Sequence, residues 1–313
     1  ATQRSVHFSI DDELIYTAFF ADFGPLNLGL TYSFCRRLDE LMQAQEASRG
    51  TVTLYCSTHE HRKANAAVLL QAYLIFVRRY SVEEAYAPFM GMNPPFCTFR
   101  DAAFAINSFP ITVLDCARSF HRALTNKHFD YATFDVNTFQ ALNRYENGDI
   151  SWIIPNKFIA FSGPLSTRRE LGNGLFSLLP QEYVPIFRRL GVSCIIRFNN
   201  KCYDRKVFTK AGIRHVDLFY EDGGNPTESI LQSFLQICEQ EKGAIAVHCK
   251  AGLGRTGTNI AAYMMKHYGY TAKESTAWCR VCRPGSVVGP QQQFLADIEK
   301  RMIEEGRRYR ADR

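Results

Sequence analysis

A cysteine and an arginine six positions apart are the residues of this chain whose types and spacing most directly predict chemistry. Cys249 and Arg255 enclose two glycines, Gly252 and Gly254, which allow the backbone between them to wind tightly. An apolar run at 244–247 precedes the cysteine, and a helix-compatible stretch follows the arginine. A strand, a tight loop and a helix in this order hold an oxyanion against the helix N-terminus.

The interior of the loop favours negative charge, because the N–H groups of the loop, the helix N-terminus and the Arg255 cation are all expected to point into it. Cys249 is therefore predicted to be an ionised nucleophile at neutral pH that attacks a bound phosphate ester. The planar fork of Arg255 can grip two phosphate oxygens. Thr256 is predicted to donate its hydroxyl to the Cys249 sulfur, which makes that sulfur a better leaving group. His248 is predicted to order the loop from beneath.

Attack of a cysteine on phosphorus needs a proton for the departing oxygen, and a carboxylic acid on a nearby loop can supply it. Glu221 and Asp222 follow the apolar segment 216–220 and precede two glycines and a proline, which predicts a loop that leaves a strand. We predict that Asp222, rather than Glu221, is the general acid and then the general base on water. Gln291 is our choice for an amide that orients this water.

Several segments resemble the cell-division-cycle-fourteen dual-specificity phosphatases of the cysteine-based protein tyrosine phosphatase superfamily. They are 219–223, 248–257 and 283–294, with further similarity at 99–103 and 145–149. The resemblance implies that Cys249 is the nucleophile, Arg255 the phosphate ligand and Asp222 the acid. It also implies a dual-specificity protein phosphatase that hydrolyses phosphoserine, phosphothreonine and phosphotyrosine through a phosphocysteine intermediate, with no cofactor.

The same resemblance implies a substrate preference and a cellular role. Members of this family reverse proline-directed phosphorylation, so phosphoserine–proline sites made by cyclin-dependent kinases are the expected substrates. Mitotic exit, cytokinesis and cell-cycle control are the expected processes. Nucleus and cytoplasm are the expected locations, with nucleolus, spindle and centrosome also implied. Phosphorylated proteins are the expected partners, with no membrane and no nucleic acid required, and the oligomeric state is not indicated.

Side chains around the loop give part of that preference a physical basis. The loop residues predicted to bind substrate are Lys250, Ala251, Gly252, Leu253 and Gly254. Ala251 and Leu253 place apolar side chains at its rim, which suit a proline ring better than an inositol headgroup. A basic residue further along the substrate needs acids along its path, and Glu146 and Asp149 are candidates, as are Glu83 and Glu84.

Two other functions are weighed against the features of this sequence. Phosphoinositide phosphatases and RNA 5′-phosphatases share the cysteine–arginine loop, although here only Lys250 adds charge to it. A module that binds phosphoproteins without turnover is favoured where the nucleophile, the arginine or the acid is missing, and all three are present. The lone pair of Cys279 and Cys282 lacks the second ligand pair of a zinc site, so no metal is predicted.

Length and composition predict two globular domains. The chain has 313 residues, of which 46% are hydrophobic and 22% charged, and a net charge of +6. No apolar run reaches the roughly 18–20 residues of a membrane span, and we expect no secretory signal. The ten cysteines are scattered, mostly within apolar segments, which fits reduced thiols in the cytosol or nucleus.

The chain also repeats one plan, which predicts tandem domains of one ancestry. A buried strand is predicted at 51–55, and Cys56 and Arg62 follow it at the spacing of Cys249 and Arg255. The first copy has no glycine between its cysteine and arginine, so tight winding would strain it. Strands that alternate with helices predict an α/β fold in which each domain has a central, mostly parallel sheet flanked by helices.

These patterns define four segments. We predict a degenerate, non-catalytic phosphatase-like domain at 5–130, a linking helix at 131–150, a catalytic phosphatase domain at 151–305 and a basic tail at 306–313. One active site is therefore expected in the chain, although its plan appears twice.

Overall fold

The computed structural model describes residues 5–46, 49–104 and 109–312, and the chain divides into two compact units. Unit 1 is Ala1–Val136 and unit 2 is Asn137–Arg313, so the division falls inside the predicted linking segment. No helix of the described residues is long and apolar enough to cross a membrane.

Unit 1 combines a small parallel sheet with helices. Its elements are β1 (Ser5–Phe8), α1 (Leu28–Glu46), β2 (Thr51–Leu54), α2 (Glu60–Phe76), α3 (Val82–Tyr86) and α4 (Val113–Thr125). β1 and β2 pair in parallel, with Ser5 opposite Thr51. The strand predicted at 51–55 is confirmed as β2, but it is partly exposed rather than buried, because its sheet has two strands among the described residues. Packed aromatic rings, such as Phe76 on Phe120 at 5.0 Å between centroids, build the core.

Unit 2 alternates strands with helices, as predicted for an α/β fold. Its elements are α5 (Val136–Leu142, which begins at the boundary), β3 (Ile150–Ile154), β4 (Phe158–Phe161), β5 (Glu170–Gly172), β6 (Leu175–Phe176), α6 (Pro180–Arg189), β7 (Val192–Arg197), α7 (Lys206–Thr209), β8 (Arg214–Asp217), α8 (Glu228–Gln240), β9 (Ala244–His248), α9 (Gly254–Tyr268), α10 (Ala272–Cys282) and α11 (Pro290–Ala311).

The main sheet of unit 2 has the strand order β3-β4-β9-β7-β8. β3 pairs antiparallel with β4, and the other neighbours are parallel. β9 lies in the middle with all five residues buried, which explains its apolar sequence, since strands covered on both faces have no polar side. Ligands of such sheets bind beyond the carboxyl ends of the strands, and Cys249 follows β9 there.

Helix boundaries follow local chemistry. Thr271 and Glu274 form a capping box at the start of α10, and Trp278 of this helix donates from Nε1 to Ile153 O at 2.9 Å. α6 begins at Pro180 and contains Pro185, and proline is tolerated at the first position of a helix.

Two predicted segments differ from the structure. The linking helix predicted at 131–150 is only α5, and a short 3₁₀ turn at Tyr145–Asn147 follows it. Gly148, which adopts a left-handed φ of 106°, ends this turn. The basic tail predicted at 306–313 is no separate segment, because α11 continues through it to Ala311. Arg313 lies outside the described residues.

Candidate active site

The segment after β9 winds tightly around a nearly buried cysteine. Cys249 is 2% exposed. Gly252 has a φ of +68°, and a Cβ there would lie 2.1 Å from Phe161 O, so both conformation and space require glycine. Gly254 differs from the prediction: it has no positive φ and begins α9. It provides space instead, because a Cβ there would lie 2.9 Å from Gln291 Oε1.

The carbonyl oxygens of four consecutive residues accept hydrogen bonds from groups around the loop. These bonds join Cys249 O to His248 Nδ1 (3.0 Å), Lys250 O to Gly163 N (3.0 Å), Ala251 O to Arg283 Nη2 (2.9 Å) and Gly252 O to Arg283 Nε (2.9 Å). In a planar trans peptide, the N–H points away from the C=O. The N–H groups of 250–253 are therefore turned away from these outer groups and toward the interior of the loop.

Arg255 lies between the loop and the segment that carries the predicted acid. Its side chain is buried, and Nη1 donates to Tyr220 O at 2.8 Å and to Phe198 O at 3.2 Å. Nη2 lies 3.1 Å from Asp222 Oδ1. Nε is buried and has no hydrogen-bond partner among the described residues. One edge of the guanidinium is thus fixed by carbonyls, and Nε is left for a ligand.

The two acids after β8 are both exposed, but the structure places Asp222 at the site through its contact with Arg255. The Asp222 side chain is 65% exposed, which leaves it accessible to a substrate. Tyr220, which precedes the acids, anchors their loop. Its hydroxyl donates to Arg255 O at 3.3 Å and accepts from Asn259 Nδ2 at 2.8 Å. Asn259 was not among the residues selected from the sequence. The one signal that could have identified it is its position in the first turns of the helix that follows the loop.

Thr256 does not form the predicted bond to the nucleophile. Its hydroxyl is fully buried and has no hydrogen-bond partner in the described part of the chain. The position of Thr256 in the first turn of α9, directly after Arg255, keeps it close to the loop. The role in releasing the sulfur stays a prediction.

Gln291 connects the loop, the acid segment and α11. Its Nε2 donates to Gly224 O at 3.1 Å, and its Oε1 accepts from Val288 N at 3.1 Å. Val287, which directly precedes Val288, is buried with a φ of +62°, an unusual conformation for a β-branched residue. Strain of this kind persists where the surroundings enforce it, often at functional sites. The structure therefore holds Gln291 at the loop, where the water-orienting amide was predicted.

Arg283 is the main functional residue that sequence reasoning missed, although it stands in one of the segments that carried the resemblance. Besides the two loop carbonyls, it contacts Asp149 through a bidentate pair, with Nη1–Oδ1 at 3.0 Å and Nη2–Oδ2 at 2.6 Å. Ser162 donates to Ala251 O at 3.2 Å and to the Asp149 carboxylate. The Asp149 carboxylate is thus paired with Arg283 inside the protein, and its predicted contact with a basic residue of the substrate stays a prediction.

The residues predicted to bind substrate occupy different positions. Lys250 and Ala251 are exposed, and Leu253 and Gly254 are half-buried, so together they form the rim. Gly252 is buried at the bend. Glu146 lies half-buried in the 3₁₀ turn, and its contact with a substrate stays a prediction.

A chain of buried side chains lies behind the nucleophile. Since Cys249 O can only accept, His248 donates from Nδ1, and its Nε2 must then accept from Tyr203 Oη at 2.7 Å. Tyr203 Oη in turn lies 2.8 Å from His215 Nε2. Burial lowers the pKa of His248 to about 3 and the pKa of His215 to about 4, so both rings are neutral near pH 7. This relay fixes one tautomer of His248, as the predicted support of the loop requires.

Comparison with known proteins identifies the family of this chain. Residues 1–123 match the family described as dual specificity protein phosphatase, N-terminal half, and residues 183–301 match the dual specificity phosphatase catalytic domain. The chain is 45% identical over 312 residues to dual specificity protein phosphatase CDC14A of Homo sapiens, covering 99% of this chain and 52% of the relative. It is 43% identical over 304 residues to CDC14C of Homo sapiens, covering 97% and 68%.

The chain belongs to the CDC14 family of dual-specificity phosphatases. It is also 40% identical over 295 residues to the tyrosine-protein phosphatase CDC14 homolog of Schizosaccharomyces pombe, covering 92% of this chain and 55% of that protein. These similarities confirm the resemblance and the α/β fold of two phosphatase-like domains. The chain spans about half the length of the CDC14A relatives that it matches.

The Arg283 contacts predict a positioning role in this CDC14 loop. Arg283→Lys keeps the charge but loses the fork that reaches two carbonyls and Asp149, and charged hydrogen bonds contribute about 1.5–3 kcal/mol each. We expect kcat/KM for an aryl phosphate to fall at least about tenfold. Arg301→Lys is the matched control, since Arg301 pairs with Glu228 at an exposed position. Equal activities of the two variants would contradict the role.

The relay predicts a separate effect of Tyr203. Tyr203→Phe leaves His248 Nε2 buried without a donor and removes the contact that favours the tautomer with the proton on Nδ1, which weakens the support of the loop. We expect kcat/KM to fall about tenfold, measured together with the free energy of unfolding. Tyr263→Phe is the control, because Tyr263 is equally buried and packs on Phe158. A Tyr203→Phe variant that loses stability but keeps kcat/KM would reduce the relay to a structural contact.

Proposed function

We propose that this chain is a protein phosphatase that hydrolyses phosphoserine, phosphothreonine and phosphotyrosine through a phosphocysteine intermediate. The observation that carries the proposal is the convergence of three groups. A cysteine lies inside a loop whose amides face inward, the Nε of Arg255 lacks a partner within the part of the chain that the structure describes, and Asp222 contacts the same guanidinium at 3.1 Å. A nucleophile, a phosphate ligand and a carboxylic acid are the groups that transfer of a phosphoryl group to sulfur requires.

The contacts that Arg255 makes without a ligand support an exchange in which phosphate replaces Asp222 on the guanidinium. A phosphate gripped by the fork needs two parallel N–H donors, and Nε with Nη2 is the edge that carbonyls do not occupy. Binding of phosphate then displaces Asp222 from Nη2. The released carboxyl group stays within reach of the bound ester, where its proton meets the leaving oxygen.

The proposed reaction has two steps. The Cys249 thiolate attacks phosphorus, the bond between phosphorus and the ester oxygen breaks, and Asp222 gives its proton to that oxygen. In the second step, water attacks the phosphocysteine and transfers a proton to the Asp222 carboxylate. The P–S bond then breaks, which releases inorganic phosphate and restores the thiolate. The inward amides and Arg255 stabilise the charge on the transferred group in both steps. Gln291 orients the attacking water.

Phosphoserine followed by proline, made by cyclin-dependent kinases, is the proposed preferred substrate. The exposed Ala251 and half-buried Leu253 support this choice, because an apolar rim accepts a proline ring. Membership of the CDC14 family supports a role in mitotic exit, cytokinesis and cell-cycle control, in the nucleus and cytoplasm. Phosphoinositides and RNA 5′-phosphates are less favoured as substrates. Loops that bind them often carry several basic residues, whereas Lys250 alone adds positive charge between Cys249 and Arg255.

A substrate panel tests the reaction class. Without added metal, we expect turnover of a phosphoserine–proline peptide well above that of a phosphoinositide or a 5′-triphosphate RNA. Cys249→Ser should abolish turnover and keep peptide binding, because the hydroxyl is a poor nucleophile at neutral pH. Cys56→Ser, the matched change in the degenerate loop, should leave kcat/KM unchanged. Hydrolysis by Cys249→Ser would refute covalent catalysis, and faster turnover of either other substrate would refute the substrate class.

The acid is tested through the leaving group. Asp222→Asn should lower kcat on the phosphoserine peptide by about 10²–10⁴. On an aryl phosphate with an activated leaving group, the loss should be much smaller, because that group departs without a proton. Glu221→Gln is the control, since Glu221 is an exposed neighbour. If Asp222→Asn lost equal activity on both substrates, another group would have to be the acid.

A further inference from the structure

The degenerate loop of unit 1 repeats the strand–cysteine–helix order of the active site. β2 ends at Leu54, Cys56 follows, and α2 begins at Glu60. The helix begins four residues after this cysteine, whereas α9 begins five residues after Cys249. The loop is therefore one residue shorter before its helix, and it contains no glycine.

One carboxylate oxygen of Asp11 contacts the two groups of this loop that correspond to proposed phosphate-binding groups of the active site. Ser57 N donates to Asp11 Oδ2 at 2.6 Å, and Arg62 Nη1 lies 3.5 Å from the same oxygen. Ser57 stands directly after Cys56, and Arg62 stands six positions after it. Counted from Cys249, these are the positions of Lys250 and Arg255, whose amide and guanidinium form the proposed phosphate site.

The carboxylate is well enclosed and changes the chemistry of the cysteine beside it. The Asp11 side chain is 11% exposed. Burial and then the Asp11 charge raise the pKa of Cys56, while Lys63 opposes them. An anion in this place disfavours both a thiolate and a second anion, which is the opposite of what the loop around Cys249 is expected to do.

Space for a ligand remains beside this contact. A cavity of about 470 Å³ is lined by Asp11, Arg62, His59, His61 and Asn65, together with Tyr16, Asp22 and apolar side chains of the segment that follows β1. Asn65 is 9% exposed, and its Oδ1 has no hydrogen-bond partner among the described residues. The other oxygen of Asp11, Oδ1, is also buried and has no partner in the ranges that the structure describes.

We infer that unit 1 contains a second oxyanion site, closed by its own Asp11 carboxylate, which takes inorganic phosphate once that charge is removed. Asp11 Oδ2 stands in for a phosphate oxygen on the Ser57 amide and the Arg62 guanidinium. In the intact chain, Asp11 keeps the site of unit 1 closed to phosphate. The inference concerns binding in unit 1 and does not depend on turnover at Cys249.

Binding of phosphate tests the closed site directly. In an Arg255→Ala background, which removes the guanidinium of the catalytic loop, we expect Asp11→Asn to bind inorganic phosphate at least tenfold more tightly than the background in equilibrium dialysis. Adding Arg62→Gln should cancel the gain. Asp12→Asn is the control, because Asp12 is the exposed neighbour. A folded Asp11→Asn variant that binds no more phosphate than the background would overturn the inference.

Alkylation of the unmodified chain provides a measurement that requires no variant. Iodoacetamide labelling, followed by mass spectrometry of the peptides, should be slowed by phosphate at Cys249 and left unchanged at Cys56. Slower labelling of Cys56 with phosphate would mean that the site is already open, which also overturns the inference. In a folded Asp11→Asn variant, phosphate should protect Cys56 severalfold.

Discussion

The outward fixation of four loop carbonyls is the constraint on which the proposed active site depends. A planar peptide cannot turn its N–H inward unless its C=O turns outward, and a buried C=O needs a donor there. His248, Gly163 and Arg283 supply these donors. Arg283 in turn pairs with the Asp149 carboxylate, so an acidic side chain supports the loop that is proposed to bind an anion.

The charged groups Arg255 and Asp222 are also paired within the protein. Arg255 is buried, and the exposed Asp222 meets its Nη2. Carbonyls of Phe198 and Tyr220 hold Nη1, so the acid segment and the guanidinium position each other without a ligand. Gln291 ties Gly224 to the start of α11, so the acid segment is attached at both ends. Nucleophile, acid and amide thus belong to one hydrogen-bonded assembly.

Comparison of the two loops shows how small changes alter what a strand–cysteine–helix unit can hold. In unit 2, Gly252 permits a bend that brings the backbone against Phe161 O, and the amides of the loop face its interior. In unit 1, the helix begins earlier and no glycine permits that bend. There, the amide of Ser57 and the charge of Arg62 are satisfied by Asp11, a residue of the same unit. Equal spacing of cysteine and arginine is therefore not sufficient for an open site.

The sequence by itself determined the cysteine–arginine loop, its strand and helix, the α/β class and the family, because these depend on local periodicity and on residue types at short spacing. It also indicated Asp222 over Glu221, and the structure places Asp222 on Arg255. Only the tertiary structure decided the partners of Asp149, the role of Arg283, the relay through Tyr203 and the contact of Asp11 with the degenerate loop. Each of these joins residues far apart in the chain, and charge pairing in a folded interior depends on which elements pack together, which no local pattern encodes.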